Sequence, residues 1–148
     1  MLSARGKYGL KAMIHLAESE GLGGIQGATI AEQQQIPKKF LDTILLELKN
    51  NGLVHSKKGK GGGYSLAKPA GQISIGQIIR ILDGPLAAIA CASRTAYRPC
   101  ADCPDVEACR IRLLMSEVRD ATAAILDNTS LASLVGPQGR KRILSYDI

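Results

Sequence analysis

The stretch that decides the fold is IPKKFLDTILLELKNNGLVHSKKGKGGGYSL, residues 36–66. Within residues 38–51 the apolar side chains recur at i, i+3, i+4 and i+7, which predicts an amphipathic helix with Leu41, Ile44, Leu45 and Leu48 on its inner face. Asn51-Gly52 is a typical helix end. Residues 53–56 and 64–66 then alternate as short strands, joined by three lysines and four glycines. The stretch therefore predicts a helix followed by a β-hairpin with a cationic loop.

Two further helices are predicted before this stretch. Residues 3–18 place Leu10, Met13, Ile14 and Ala17 on one helical face. Thr29 and Glu32 have the spacing of a capping box, which predicts that a short helix opens at Thr29 and ends at Ile36-Pro37. Two short helices separated by a tight turn make a helix-turn-helix. With the hairpin added, we predict a mainly α fold with a small β-hairpin wing, a winged helix-turn-helix.

The basic residues of this half indicate a nucleic-acid partner. Residues 1–68 hold ten Lys/Arg against five Asp/Glu, whereas residues 69–148 hold nine against eight. A basic surface of this kind suits a polyanion. The N-terminal end of a recognition helix meets base edges, and that end carries Lys38, Lys39, Asp42 and Thr43. A glycine-rich loop can approach the DNA backbone closely or enter the minor groove, and this one carries Lys57, Lys58 and Lys60.

Downstream of Pro69 the pattern predicts two more helices. Residues 75–82 form the first, which ends at Asp83-Gly84-Pro85. Residues 106–127 form the second, a long helix whose apolar positions are spaced 3, 4, 3, 4: Ile111, Leu114, Val118, Ala121 and Ile125. Such a seam packs against another helix, either in a homodimer or within its own domain, and we expect the homodimer. The predicted units are a DNA-binding domain (1–84), a cysteine-rich sensor loop (85–105), a dimerisation helix with a short terminal helix (106–135) and a basic, flexible tail (136–148).

All four cysteines lie within nineteen residues, at Cys91, Cys100, Cys103 and Cys109. In a chain without an export signal such clustering predicts a metal or redox site. Thiolates are the preferred ligands of iron-sulfur clusters, and four of them also suit a structural zinc ion. A third interpretation is a thiol switch, in which Cys100 and Cys103 form a reversible disulfide. A Cys-x-x-Cys disulfide oxidoreductase is disfavoured because no βαβ pattern surrounds the pair.

The sequence also disfavours other classes of protein. It has no apolar run of about eighteen residues and no leader-like start, so we expect a soluble cytoplasmic protein with no membrane contact. Gly59-Lys60-Gly61 lacks the Gly-Lys-Ser/Thr of a phosphate-binding loop. No enzymatic activity is predicted.

Several co-linear motifs resemble the Rrf2 superfamily of bacterial transcription regulators over about residues 1–135. The resemblance rests on Gly6-Lys7-Tyr8, Ala12-Met13, Phe40-Leu41, Asn51-Gly52-Leu53-Val54 and Gly61-Gly62-Gly63-Tyr64. It implies a homodimeric repressor or activator that binds a palindromic operator in double-stranded DNA. It further implies base-contacting positions at Pro37, Lys39 and Asp42, and a minor-groove position at Lys58.

The same resemblance implies an iron-sulfur cluster, of the [2Fe-2S] type or alternatively [4Fe-4S]. Cys91, Cys103 and Cys109 fall on cysteine ligands of the cluster-binding members, and Cys100 is an additional cysteine. Those members have a histidine ligand three residues after the last cysteine, where this chain has Arg112. A guanidinium does not deprotonate in proteins and cannot ligate a metal, so Cys100 is the candidate for the fourth ligand.

Overall fold

The computed structural model describes residues 2–137 and residue 139. Its helices are α1 (Ala4–Glu18), α2 (Gly27–Gln34), α3 (Lys38–Asn50), α4 (Ile75–Asp83) and α5 (Arg110–Asp127), and its strands are β1 (Val54–Lys57) and β2 (Gly63–Leu66). Short 3-10 turns occur at Ala70–Gln72, Ala90–Ala92 and Leu131–Leu134. The mainly α fold with one β-hairpin is confirmed. Most of the predicted basic tail, at positions 138 and 140–148, lies outside the described residues.

The hydrophobic core joins helices α1 to α4. The four predicted inner residues of α3 are all buried, as are Met13 of α1, Ile30 of α2 and Ile78 of α4. Of the other predicted residues of α1, Ala17 is buried, while Leu10 and Ile14 are half-buried against the same core. The periodicity that predicted these helices is therefore the periodicity of their packing.

The wing is an antiparallel hairpin in which Val54 pairs with Leu66 and Lys57 with Gly63. A third segment joins it, because the Ile25 and Tyr64 backbones exchange N–H···O bonds of 2.9 and 2.8 Å. Gly63 makes this approach possible. Its φ is +118°, and a Cβ there would lie 2.5 Å from the Ile25 carbonyl. The wing is thus joined to the segment that leads into α2.

The predicted start of α2 is wrong. The helix begins at Gly27 rather than at Thr29, with Gln26 in the N-cap position and no side-chain cap. The backbone pairing of Ile25 with Tyr64 fixes the chain just before the helix, so tertiary structure overrides the capping-box spacing. Gln35, in the left-handed conformation with φ of 52°, ends the helix before Pro37.

The predicted start of the long helix is also wrong. α5 begins at Arg110, four residues later than expected, and Cys109 is its N-cap. The carboxylate of Asp105 accepts hydrogen bonds from the backbone N–H groups of Glu107 and Ala108, at 3.0 and 3.2 Å. Such local bonds compete with a helical turn and hold this segment in a bend.

The C-terminal end of α5 returns to the core of the winged unit. The Ile75 N–H donates to the Thr129 carbonyl at 2.9 Å, and the Leu131 N–H donates to the Ile73 carbonyl at 2.8 Å. Leu131 itself is fully buried. No helix in the described part of the chain is both long enough and apolar enough to span a membrane.

Candidate DNA-binding surface and cysteine site

The residues predicted to contact bases lie at the start of α3. Pro37 is the N-cap residue, and Lys38, Lys39, Asp42 and Thr43 occupy the first two turns. All five are exposed. The Lys38 ammonium lies 2.5 Å from the Asp42 carboxylate, an i,i+4 ion pair, and the Thr43 hydroxyl donates to the Lys39 carbonyl at 3.2 Å. In the free protein, therefore, Asp42 and Thr43 are hydrogen-bonded within their own helix.

The predicted wing lysines are equally exposed. Lys57 ends β1, while Lys58 and Lys60 lie in the loop before β2. The loop folds back on itself, since the Gly62 N–H donates to the Gly59 carbonyl at 3.0 Å. A Cβ at Gly62 would lie 2.2 Å from the Lys57 carbonyl, so this glycine allows the tight return of the chain.

Gly27, the first residue of α2, lies between the start of α3 and the wing. A Cβ on Gly27 would lie 3.3 Å from the Tyr64 ring and 3.7 Å from Lys38 Nζ. The Gln26 side chain also donates to the Gly62 carbonyl at 3.3 Å. Tyr64 of the wing and Lys38 of α3 therefore flank the same glycine, and the wing lysines lie at the end of β1 and in the loop that follows it. We call Lys38, Lys39, Lys57, Lys58 and Lys60 the basic surface.

The cysteine site is only partly assembled. Cys100 Sγ donates to Cys91 Sγ at 3.8 Å, and Cys91 is buried whereas Cys100 is exposed. The hydrogen bond with Cys91, together with the nearby charge of that residue, raises the pKa of the Cys100 thiol. Two thiolates on one tetrahedral metal ion with bonds of about 2.3 Å lie about 3.8 Å apart. The spacing of this pair therefore suits two ligands of one metal ion.

The other two cysteines have separate partners. Cys103 Sγ donates to the Asp105 carbonyl at 3.4 Å, and Cys109 Sγ accepts from the Arg112 N–H at 3.5 Å. Across residues 2–137 and 139, no three His, Cys, Asp or Glu side chains are grouped closely enough to hold a metal ion. Bringing all four thiols together thus requires movement of the segment between Cys100 and Cys109.

Arg112 occupies the position where the sequence suggested a missing ligand. Its Nε donates to the Cys91 carbonyl at 2.9 Å, and its Nη1 donates to the Val106 carbonyl at 3.5 Å. The guanidinium therefore links the Cys91 segment to the segment that precedes α5.

One face of α5 is apolar and uncovered. Of the predicted seam residues, Ile111 is 66% exposed, Leu114 55%, Val118 45% and Ile125 60%, and Ala121 is exposed too. The neighbouring Leu113 is 53% exposed. Packing of this seam onto its own domain, one of the two arrangements considered from the sequence, does not occur in the structure. We call the five seam residues the α5 stripe.

Several residues around this site carry no signal in the sequence. Arg80 forms a bidentate ion pair with Asp127, at 2.5 and 2.9 Å, and the two are 47 positions apart. Arg94 contacts Asp120 at 3.1 Å, and Arg119 also pairs with Asp120. No periodic or local pattern marks the long-range pairs Arg80–Asp127 and Arg94–Asp120, so the sequence did not predict them.

Comparison with known proteins identifies the family. The Rrf2 family, described as an iron-dependent transcriptional regulator, matches residues 2–137. Over 138 residues the chain is 41% identical to an rrf2-like HTH-type transcriptional regulator of Rhodobacter capsulatus, covering 91% of this chain and 92% of that protein. It is 33% identical to the HTH-type transcriptional regulator IscR of Cronobacter sakazakii, covering 93% of this chain and 81% of that protein.

Solved structures agree with this result. CymR, the global cysteine regulator of B. subtilis, superposes with a TM-score of 0.74 at 32% identity, covering 92% of this chain and 98% of that one. IscR of T. potens superposes with a TM-score of 0.73 at 26% identity, covering 100% of this chain and 93% of that one. These relatives are transcriptional regulators rather than enzymes. The chain therefore belongs to the Rrf2 family of transcriptional regulators.

Proposed function

We propose that this regulator is a homodimer that binds a palindromic operator in double-stranded DNA, and that its cysteine site carries an iron-sulfur cluster. The observation that supports DNA binding most directly is the basic surface, whose lysines are all exposed and lie on α3 and the wing, two elements that approach each other at Gly27. Residues 1–84 act as the DNA-binding unit, 85–105 as the sensor loop and 106–135 as the dimerisation unit. The protein acts in the cytoplasm, where its DNA lies.

The start of α3 and the wing have distinct roles in this proposal. Pro37, Lys39 and Asp42 face base edges, where Asp42 accepts from a cytosine amino group and Lys39 donates to guanine or to phosphate. The ion pair with Lys38 opens when Asp42 binds a base. Lys58 enters the minor groove, and its glycine neighbours allow close approach to the backbone.

Salt-dependent DNA binding tests the role of the wing. Replacing Lys58 by Ala should weaken binding to any duplex. It should also reduce the slope of log K against log salt by about 1, because one lysine fewer neutralises DNA phosphates and fewer counterions are released on binding. Lys49→Ala is the matched control, since this exposed lysine lies in the last turn of α3 and outside the basic surface. An unchanged slope in Lys58→Ala would contradict the assignment of the wing.

The α5 stripe supports the homodimer. A contiguous row of exposed large apolar side chains is typical of a protein–protein interface. A twofold dimer built on α5 would present two α3 helices, which matches a palindromic operator with half-sites about 34 Å apart.

The four cysteines, three in the sensor loop and Cys109 at the start of α5, fit an iron-sulfur cluster chemically. Cys91 and Cys100 already have the spacing of two ligands on one metal ion, and Cys103 and Cys109 supply the remaining thiolates after the loop moves. The family description as an iron-dependent regulator supports iron over zinc. A bound [2Fe-2S] cluster, or a [4Fe-4S] cluster, would supply reversible redox chemistry and sensitivity to oxidants.

Anaerobic purification with iron, sulfide and zinc analysis tests the cluster. We expect brown protein with visible absorption and equal amounts of iron and sulfide. Cys103→Ala and Cys109→Ala should lose the cluster, and loss in Cys100→Ala would identify Cys100 as the fourth ligand. Colourless protein with one zinc ion per chain would overturn the proposal in favour of structural zinc.

A thiol switch is a second candidate, and the close approach of Cys91 and Cys100 favours it. The sequence suggested Cys100 and Cys103 as the pair, but the Cys100 thiol lies against Cys91. In the absence of a cluster, a two-electron oxidant such as diamide would take two electrons and two protons from the two thiols, and an S–S bond would form between them. The structural neighbour CymR is a global cysteine regulator, which supports a sulfur-related signal for a regulator of this fold.

Peptide mapping distinguishes the two thiol pairs. Cluster-free protein treated with diamide should yield a disulfide-linked peptide that contains Cys91 and Cys100, and reduction should release it. A dominant Cys100–Cys103 linkage, or four alkylatable thiols after oxidation, would contradict this second candidate.

A further inference from the structure

We propose that an arginine-lined groove beside α5 binds a small oxyanion that carries two negative charges, such as a phosphate or a dicarboxylate. Two hollows of about 380 and 170 Å³ share Arg94, Arg119 and Asp120 in their walls, so they form one groove. The groove runs from Cys91 along α5 to the pair of Arg80 and Asp127. We call it the arginine groove.

The charges that line the arginine groove do not balance. Its walls carry four guanidinium groups and two carboxylates: Arg80, Arg94, Arg112, Arg119, Asp120 and Asp127. Asp127 is occupied by the bidentate contact with Arg80. Asp120 is shared between Arg94 and Arg119, while Arg112 donates to backbone carbonyls. Two positive charges are left over, and each guanidinium has five N–H donors.

Arg119 has only a shared acid partner, although its side chain is largely withdrawn from solvent. Its side chain is only 12% exposed, and Asp120, the acid with which it pairs, is shared with Arg94. Desolvation and the positive charges of Arg94 and Arg80 lower the pKa of Arg119. A nearly buried cation beside other cations is unfavourable unless an anion pairs with it. A bound oxyanion would supply that charge, and the planar fork of arginine suits oxyanions.

The wall formed by α4 is closely fitted. A Cβ at Gly76 would lie 2.0 Å from Asp127 Oδ1 and 3.0 Å from Arg80 Nη1. This glycine thus makes room for the ion pair that closes one end of the groove. Because the groove lies between α4, the Cys91 segment and α5, a bound anion would contact all three and favour one placement of α5. It would be an input separate from the cysteine chemistry, and the proposal does not depend on a cluster.

Titration calorimetry on cluster-free protein tests the groove, with inorganic phosphate and succinate as probes and NaCl added to hold ionic strength constant. We expect saturable binding at one site per chain. Arg119→Met should weaken it by about tenfold or more, because a charge-assisted hydrogen bond is lost. Arg110→Met is the matched control, since this exposed arginine lies on the same helix and outside the groove. Absence of saturable binding for both probes, or equal affinity in Arg119→Met, would overturn the proposal.

A second measurement separates a small anion from the phosphates of DNA. The salt dependence of binding to a random duplex should be the same in wild type and Arg119→Met. A smaller slope in Arg119→Met would make the groove a DNA contact and would overturn the proposal. If Arg119→Met does not fold by circular dichroism, Arg119→Lys replaces it. That variant keeps the charge but loses the planar fork, and it should still bind the probes more weakly than wild type.

Discussion

Arg112 joins three points of the cysteine-containing segment through three hydrogen bonds. Its side chain contacts the Cys91 and Val106 carbonyls, and its backbone N–H contacts Cys109 Sγ. Two carbonyls on different segments suit a forked donor, whereas a lysine ammonium is a single point of charge. The residue therefore acts as a positioning residue for the loop rather than as a ligand.

Removing the Arg112 side chain should expose Cys91. In cluster-free, reduced protein we expect the Cys91 thiol, which is 5% exposed, to react faster with N-ethylmaleimide in Arg112→Gln, because its segment loses the anchor to α5. Arg112→Lys should give an intermediate rate, and Arg110→Gln should leave the rate unchanged. Alkylation followed by mass spectrometry gives the rate for each cysteine. Equal rates for Cys91 in wild type and Arg112→Gln would contradict the positioning role.

Gly63 should not tolerate a side chain. Gly63→Ala places a Cβ against the Ile25 carbonyl in backbone of positive φ, so we expect a loss of unfolding free energy of about 1–2 kcal/mol or more, measured by urea denaturation. Gly71→Ala is the control, since a Cβ at Gly71 would have no neighbouring atom within 4 Å. A Gly63→Ala variant as stable as Gly71→Ala would show that the wing is not held at this point.

At the scale of elements, α5 differs from the other helices because none of its side chains is buried within the chain. Helices α1 to α4 gain stability from a shared core, whereas α5 presents the α5 stripe to solvent. Most of the stability of a helix in a protein comes from packing of its apolar face, and this face of α5 has no partner within the chain. A second α5 from another copy supplies that packing in the proposed dimer.

A charge placed in the α5 stripe should separate the dimer. Val118→Glu would bury a carboxylate in the proposed interface, so we expect a monomer by analytical ultracentrifugation and weaker binding to a two-half-site operator. The monomer should keep its fold by circular dichroism, since Val118 is already 45% exposed. Leu22→Glu is the control, because Leu22 is 83% exposed in the loop before α2 and lies outside α5. A Val118→Glu dimer of wild-type affinity would place the interface elsewhere.

The same elements show which features a local sequence pattern predicts and which it does not. The i, i+3, i+4 spacing in α3 predicted its four buried residues because core packing follows helical periodicity. The starts of α2 and α5 were mispredicted, because Ile25–Tyr64 pairing and the Asp105 turn decide them. The approach of Cys100 to Cys91 and the arginine groove depend on contacts between distant positions, which no local pattern contains.

At the scale of the whole molecule, the Arg80–Asp127 ion pair joins α4 to the last turn of α5. The hydrogen bonds from Arg80 lower the pKa of Asp127, despite some desolvation, and Asp127 correspondingly raises the pKa of Arg80. A lowered folded-state pKa means that the pair stabilises the fold above pH 3.8, the ordinary value. That contribution is lost as the pH falls through the lower, folded-state pKa.

The stability difference between wild type and Asp127→Asn should therefore depend on pH. Wild type should have the higher urea midpoint at pH 7. The difference should begin to shrink as the pH falls below about 3.8, where Asp127 of the unfolded chain takes up a proton that the folded protein does not yet bind. Both partners are more than a third exposed, so the effect should be modest. Asp102→Asn, which changes an exposed acid in the loop between Cys100 and Cys103, serves as the control. A difference that stays constant from pH 7 to pH 3 would rule out the ion pair as its source.

The return of the chain at Thr129 has a consequence for how such regulators can diversify. The chain leaves the winged unit at the end of α4, and the Ile75–Thr129 and Leu131–Ile73 bonds bring it back at the start of α4. Exit and re-entry are thus separated by one nine-residue helix, about 13 Å. The chain between these two points is therefore an insertion whose two ends lie on the same core. Such an insert can be lengthened, given other ligands or exchanged for another sensor while the DNA-binding half keeps its own sequence.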